Sequence, residues 1–135
     1  MEKVYTAPRI DKLGVRPGMR VALVGPVDPD GTLAAELSER TSDVTAGEPL
    51  PDTDIVFLAA DDLVDLAGLP GLRHRIRPNG AIWIVSRKGR AATLRYGELL
   101  AVATAAGLVD NKVVAFSQTR TSLRFVIPVA QRPRA

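Results

Sequence analysis

Residues 78–128 read PNGAIWIVSRKGRAATLRYGELLAVATAAGLVDNKVVAFSQTRTSLRFVIP, and the order of signals in this stretch decides the fold. A Pro78-Asn79-Gly80 turn precedes the apolar run 81–86. A continuous run of this length reads as a parallel strand buried on both faces. The basic loop 86–90 follows. Leu94, Leu99, Val102, Ala103 and Ala106 then form a helical stripe, and Gly107 suits the left-handed position just past a helix end. The β-rich runs 109–117 and 123–129 close the segment, with a turn around 118–121. No crossover helix fits between them, so the last strand must run antiparallel.

Upstream, 19–25 (MRVALVG) and 53–60 (TDIVFLAA) read as two further buried strands, and 44–46 as a short edge strand. The segment 32–40 reads as a helix with Leu33 and Leu37 one turn apart. Ile10, Leu13 and Val15 make a short helical turn, ended by Gly14 and Pro17-Gly18. Short helical pieces are expected over 62–66 and 69–76, interrupted by Gly68 and Pro70. Alternation of strand and helix implies right-handed parallel crossovers. The expectation is a loose arm over 1–7, a single Rossmann-like α/β domain over 8–130 and a basic tail over 131–135.

The length of 135 residues suits one domain with a real core. Cysteine is absent, which excludes disulfides, thiolate metal sites and a cysteine nucleophile. No signal core or membrane-length apolar run occurs, so a cytoplasmic protein without a membrane partner is expected. Charge is segregated. Residues 28–66 carry one Arg against eleven acids, whereas 67–135 carry twelve Lys/Arg against two acids. Such asymmetry marks either an anionic partner or opposite ends of one sheet. Homo-oligomers joined acidic end to basic end are a third possibility.

Several blocks carry a resemblance. They are K-L-G-V-R-P-G-M-R-V-A-L at 12–23, D-I-V-F-L at 54–58, P-N-G-A-I-W-I-V at 78–85 with Lys88, A-G-L-V-D-N-K-V at 106–113 and S-L-R-F-V at 122–126. Together they resemble a bacterial family of small proteins of unknown function with a class I methyltransferase-like fold. Arg87 stands where that family usually has proline, and its common Trp before the last strand is absent. The resemblance implies a fold and brings no established activity. A methyltransferase sheet reduced by one strand–helix unit places six strands in the order 2-1-3-4-6-5, mostly parallel, with the last antiparallel. Strands 1 and 3 then flank the switch point where open α/β sheets bind ligands.

Cofactor chemistry turns on the loop after strand 1, Gly25-Pro26-Val27-Asp28-Pro29-Asp30-Gly31. S-adenosylmethionine and dinucleotide sites need a glycine-rich turn there so that backbone can approach the ligand. Two prolines delete N–H donors and two acids repel phosphate. No cofactor is therefore expected, with S-adenosylmethionine as the alternative, in a cleft marked by Gly25 and Asp61. Glu48 falls near the position of a ribose-binding acid, and a Walker loop is excluded because no Lys precedes Thr32. His74, the single histidine, is expected on the solvated side. Asp61-Asp62 could cap the next helix or act as a carboxylate pair. No catalytic residue and no metal site are assigned.

The candidate anion site is the loop Ser86-Arg87-Lys88-Gly89-Arg90, leading into a helix near Thr93. Arg120 is expected on the same edge. Nucleic acid is disfavoured because the aromatic residues Phe57, Trp83 and Phe116 fall in buried strands. The leading reading is a non-catalytic binding or regulatory domain for an anionic small molecule or an acidic surface. An enzyme with a degenerate S-adenosylmethionine or nucleotide site is the first alternative, and a self-associating structural protein the second.

Overall fold

A computed structural model describes residues 7–133. The expected arm over 1–7 therefore lies almost wholly outside the described residues, and the tail over 131–135 partly so. Six strands form one sheet in the order β2-β1-β3-β4-β6-β5. They are β1 (Val21–Val24), β2 (Val44–Ala46), β3 (Thr53–Ala59), β4 (Ile76–Arg87), β5 (Val109–Ala115) and β6 (Arg120–Val126). β2, β1, β3 and β4 pair in parallel, while β6 runs antiparallel to both β4 and β5. The order and the reversed last strand agree with the sequence reading.

Four helices cover the two faces: α1 (Arg9–Lys12), α2 (Thr32–Ser38), α3 (Leu69–Arg73) and α4 (Tyr96–Ala105). On one face Ile10, Leu13, Leu33 and Leu37 pack with Phe57, Trp83 and Val85. On the other, Leu66, Leu69, Leu72, Leu99 and Ala103 pack with Val56, Ile82, Ile84 and Phe125. Alternate residues of β3 and β4 thus feed opposite cores, as strands covered on both faces require. Gly107 closes α4 with φ +83°. Its N–H donates to Thr104 and the Leu108 N–H to Ala103, the paired bonds of a Schellman ending. No helix among the described residues is long and apolar enough to cross a membrane.

The connection from β2 to β3 is only the loop 47–52, with no helix. A trough of about 600 Å³ lies on one face there, lined by Val24, Leu58, Leu72, Pro49, Glu48 and Arg75.

Three local expectations are corrected. Pro78-Asn79-Gly80 is not a turn before the strand but lies within β4. Thr53 pairs with Ile76 and Ile55 with Ala81, so β4 advances five residues while β3 advances two. The surplus bulges, and Pro78 is tolerated because a bulge needs no donor from it. Ile76 belongs to β4 rather than to the preceding helix. α4 starts at Tyr96, not near Thr93, because Gly89–Ala91 forms a separate 3-10 turn and the Thr93 hydroxyl donates to the Asp61 carbonyl.

Four ion pairs link the acidic segment to the basic one: Glu48–Arg75, Asp54–Arg77, Asp61–Arg87 and Asp61–Arg120. Segregated charge in the chain is thus partly consumed by strand pairing. Each exposed pair contributes about 0–1 kcal/mol.

Candidate functional site

The C-terminal strand edge collects Gly25, Asp61, Arg87 and Arg120, with Lys88 and Arg90 in the loop that follows. Gly25 ends β1 with φ +76°, and a Cβ there would lie 3.4 Å from the Ala59 side chain. The Val27 N–H donates to the Gly25 carbonyl at 2.8 Å. This tight turn drives Val27 into the core, where it is 2% exposed. The loop therefore folds onto its own sheet.

Its two acids are engaged by the next helix. The Asp28 carboxylate accepts from the N–H groups of Leu33 at 2.9 Å and Ala34 at 2.8 Å. Asp30 accepts from the Thr32 N–H at 3.1 Å and from its hydroxyl at 2.9 Å. The Thr32 amide, then the hydroxyl, hold the Asp30 carboxyl below its ordinary pKa. Orphan amides at the start of α2 are thus satisfied by side chains rather than left for a ligand. A depressed carboxyl contributes stability above its unfolded pKa, and loses it as pH falls through the lower folded value. The Asp28→Ala variant should lose about 1 kcal/mol in urea unfolding at neutral pH. An unchanged midpoint would mean that water replaces the cap without cost.

The carboxylates Asp61 and Asp62 divide their roles. Asp62 caps the 3-10 helix Leu63–Leu66 in a reciprocal box with Asp65. Asp61 turns the other way, across to the end of β4. It accepts from the Arg87 N–H at 2.9 Å and faces Arg87 Nε at 3.7 Å and the Arg120 guanidinium at 3.4 Å. Register explains the meeting, since Arg87 and Arg120 are directly paired between β4 and β6. The structure therefore brings Asp61, Arg87 and Arg120 together. Lys88 and Arg90 continue into the exposed 3-10 turn and have no carboxylate partner among the described residues. The expected helix amides are not at this loop, because α4 begins well beyond Lys88.

Arg9 was not anticipated. Its guanidinium donates to the Phe116 carbonyl at 2.7 Å, lies 4.9 Å from the centre of the Phe116 ring and pairs with Glu36. It joins α1, α2 and the β5–β6 turn, and no spacing in the chain signals a contact over such a separation. A cleft of about 280 Å³ opens there, lined by Arg9, Val27, Asp28, Asp30, Phe116 and Arg120. Its lining is mixed in sign. His74 is exposed just before β4, at the opposite edge, and among the described residues no three His, Asp or Glu side chains cluster as metal ligands would.

Neither a protein-family model nor a curated protein matches the chain. Solved structures do. A SAM-dependent methyltransferase from Aquifex aeolicus is 17% identical with a TM-score of 0.65, over 87% of each chain. A TehB-like SAM-dependent methyltransferase from Corynebacterium glutamicum is 15% identical with a TM-score of 0.58, over 83% of this chain and 82% of that one. A LepI variant, solved in complex with SAH and a substrate analogue, is 13% identical with a TM-score of 0.61. That match covers 94% of this chain and 49% of the other, so this chain spans about half of LepI's length. At these identities the likeness establishes the fold alone: a shortened class I methyltransferase-like α/β sheet.

Proposed function

We propose that this chain is a methyltransferase-fold binding or regulatory domain that recognises an anionic small molecule or an acidic surface and transfers no methyl group. The observation that carries the reading is the Asp28 carboxylate seated on the Leu33 and Ala34 amides. Ligands of open α/β sheets approach at this loop. Here an internal acid satisfies those amides, Pro26 and Pro29 offer no N–H, and Gly25 faces Ala59. On this reading the loop offers S-adenosylmethionine neither a glycine-rich approach nor a free amide at Leu33 or Ala34.

The anion arm of the reading rests on Arg87, Lys88, Arg90 and Arg120. Asp61 already neutralises part of that rim, so binding there is expected to be weak. Isothermal titration with S-adenosylmethionine should give no saturable heat at micromolar ligand. Low-micromolar affinity would replace this reading by that of an enzyme with a degenerate cofactor site. For the anion arm, phosphate-induced thermal stabilisation should increase in Asp61→Asn, which frees the two arginines. It should be lost in Arg87→Ala combined with Lys88→Ala. Equal stabilisation of wild type and the double variant would leave the loop a solvated connection.

A further inference from the structure

We propose a second anion site, at the edge of the sheet opposite the C-terminal strand edge, in the cavity lined by Lys12, Arg16, Lys112 and Arg124. It would take a small polyanion with two or more negative groups, a diphosphate or a polycarboxylate. This site goes beyond the reading above and does not depend on it.

The cavity measures about 390 Å³ and is also lined by Asn79 and Asn111. That volume lies in the range of small-molecule sites. Its four cations come from the two ends of the chain. Lys12 and Arg16 flank the α1 ending, while Lys112 and Arg124 lie on β5 and β6, paired directly across the ladder. No acid lines it. None of the four has a carboxylate partner among the described residues. Of the acids on adjoining elements, Asp11 pairs with Arg40 and Asp54 with Arg77, while Asp110 on β5 accepts from the Tyr96 hydroxyl. This contrasts with the opposite edge, where Asp61 sits between Arg87 and Arg120.

Two contacts organise the cluster. Lys112 Nζ donates to the Lys12 carbonyl at 2.7 Å. Arg124 donates to the Asn111 side-chain oxygen at 3.2 Å, which leaves the Asn111 amide nitrogen free as a further donor. Burial, then the charge of Arg132, push the Arg124 guanidinium below its ordinary pKa. Burial is the larger cause, so this guanidinium is partly shielded from water. Four like charges in one concavity repel each other and focus a positive field. An anion that relieves this repulsion binds the folded state and stabilises it. Guanidinium forks and ammonium groups together suit phosphoryl and carboxylate oxygens. Among the described residues the lining holds no aromatic ring on which a base would stack. The charges converge on one cavity rather than along a stripe, which favours a small ligand over a nucleic-acid backbone.

The probes are pyrophosphate and citrate, titrated into the full chain at low salt and read by calorimetry and thermal shift. At least one should bind saturably, and whichever binds more tightly identifies the phosphoryl or the carboxylate source. Lys12→Gln, Arg16→Gln and Lys112→Gln together should weaken that binding by roughly tenfold or more. Arg87→Gln, Lys88→Gln and Arg90→Gln remove the same charge from the other edge and should change it by less than about twofold. Wild-type circular dichroism in both triple variants separates lost binding from lost fold. If either set fails to fold, its single variants, starting with Arg16→Gln, carry the same comparison. Absence of saturable binding overturns the site. Equal losses in the two sets overturn it in favour of general attraction to a basic protein. Loss only in the second set moves the anion to the Arg87 loop, supporting the proposed function and not this inference. A thymidine oligonucleotide that binds more tightly than either probe and is lost in the first set would overturn the small-molecule assignment.

Discussion

Trp83→Ala should cost about 3–5 kcal/mol of stability, the usual cost of emptying a large aromatic site in a core. Trp83 is fully buried at 0% exposure. It packs on the face that holds α1 and α2, among Leu13, Phe57 and Val85. Its indole N–H donates to the Leu13 carbonyl at 3.1 Å, which ties the loop after α1 to the central strand β4. Truncation therefore opens a cavity and leaves the Leu13 carbonyl without its indole partner. Against a total of about 5–15 kcal/mol for a native domain, the loss is a large fraction. Trp83→Phe separates the two effects. It keeps most of the volume and should cost about 1–3 kcal/mol, the penalty of the unsatisfied carbonyl. Urea unfolding followed by far-ultraviolet circular dichroism measures both, since the single tryptophan cannot serve as its own probe. Equal costs for the two variants would show that the hydrogen bond, not the packing, carries the contribution.

Gly80→Val should also be damaging, for a different reason. Gly80 sits in the β4 bulge with a negative φ, so left-handed backbone is not its requirement. Space is. A Cβ there would meet the Asp54 carbonyl oxygen at 2.9 Å and the Arg77 backbone at 3.1 and 3.2 Å. These are main-chain atoms of paired strands and cannot swing aside. Overpacking of this kind costs about 1–3 kcal/mol and occasionally more. We expect the upper end, because the branched side chain adds bulk beyond the Cβ already in conflict. Gly107→Ala provides the comparison. Its Cβ would meet Arg73 Nε at 2.8 Å, but that atom belongs to a flexible side chain. Its cost should come from the positive φ and amount to about 1–2 kcal/mol. Thermal denaturation should therefore rank Gly80→Val below Gly107→Ala, and the reverse order would mean that the bulge relaxes.

Much of the architecture was legible because it is written in local patterns. Continuous apolar runs marked the strands buried on both faces. The stripe from Leu94 to Ala106 with Gly107 marked α4 and its ending. Absence of room for a crossover between the last two strands forced their antiparallel pairing. The start of α4 was placed too early because a basic loop followed by alanines carries no cap to mark it. The Pro78–Gly80 bulge read as a turn because Pro-Asn-Gly has the composition of both.

The charged residues behaved differently. Arg87 and Arg120 were correctly assigned to one edge, since the strand order alone puts both there. That Asp61 lies between them was not readable, because it depends on β3, β4 and β6 meeting in one register. Asp28 looked like a group that repels phosphate, whereas the fold makes it the acceptor that satisfies α2. Lys12, Arg16, Lys112 and Arg124 carry no common motif and lie at opposite ends of the chain. The sequence by itself determined which segments are buried and in what order they stack, because burial follows from side-chain type and period. Only the tertiary structure decided which charges neutralise one another and which are left facing a cavity. Ion pairing acts over a few ångströms, between residues that the sheet, not the chain, makes neighbours.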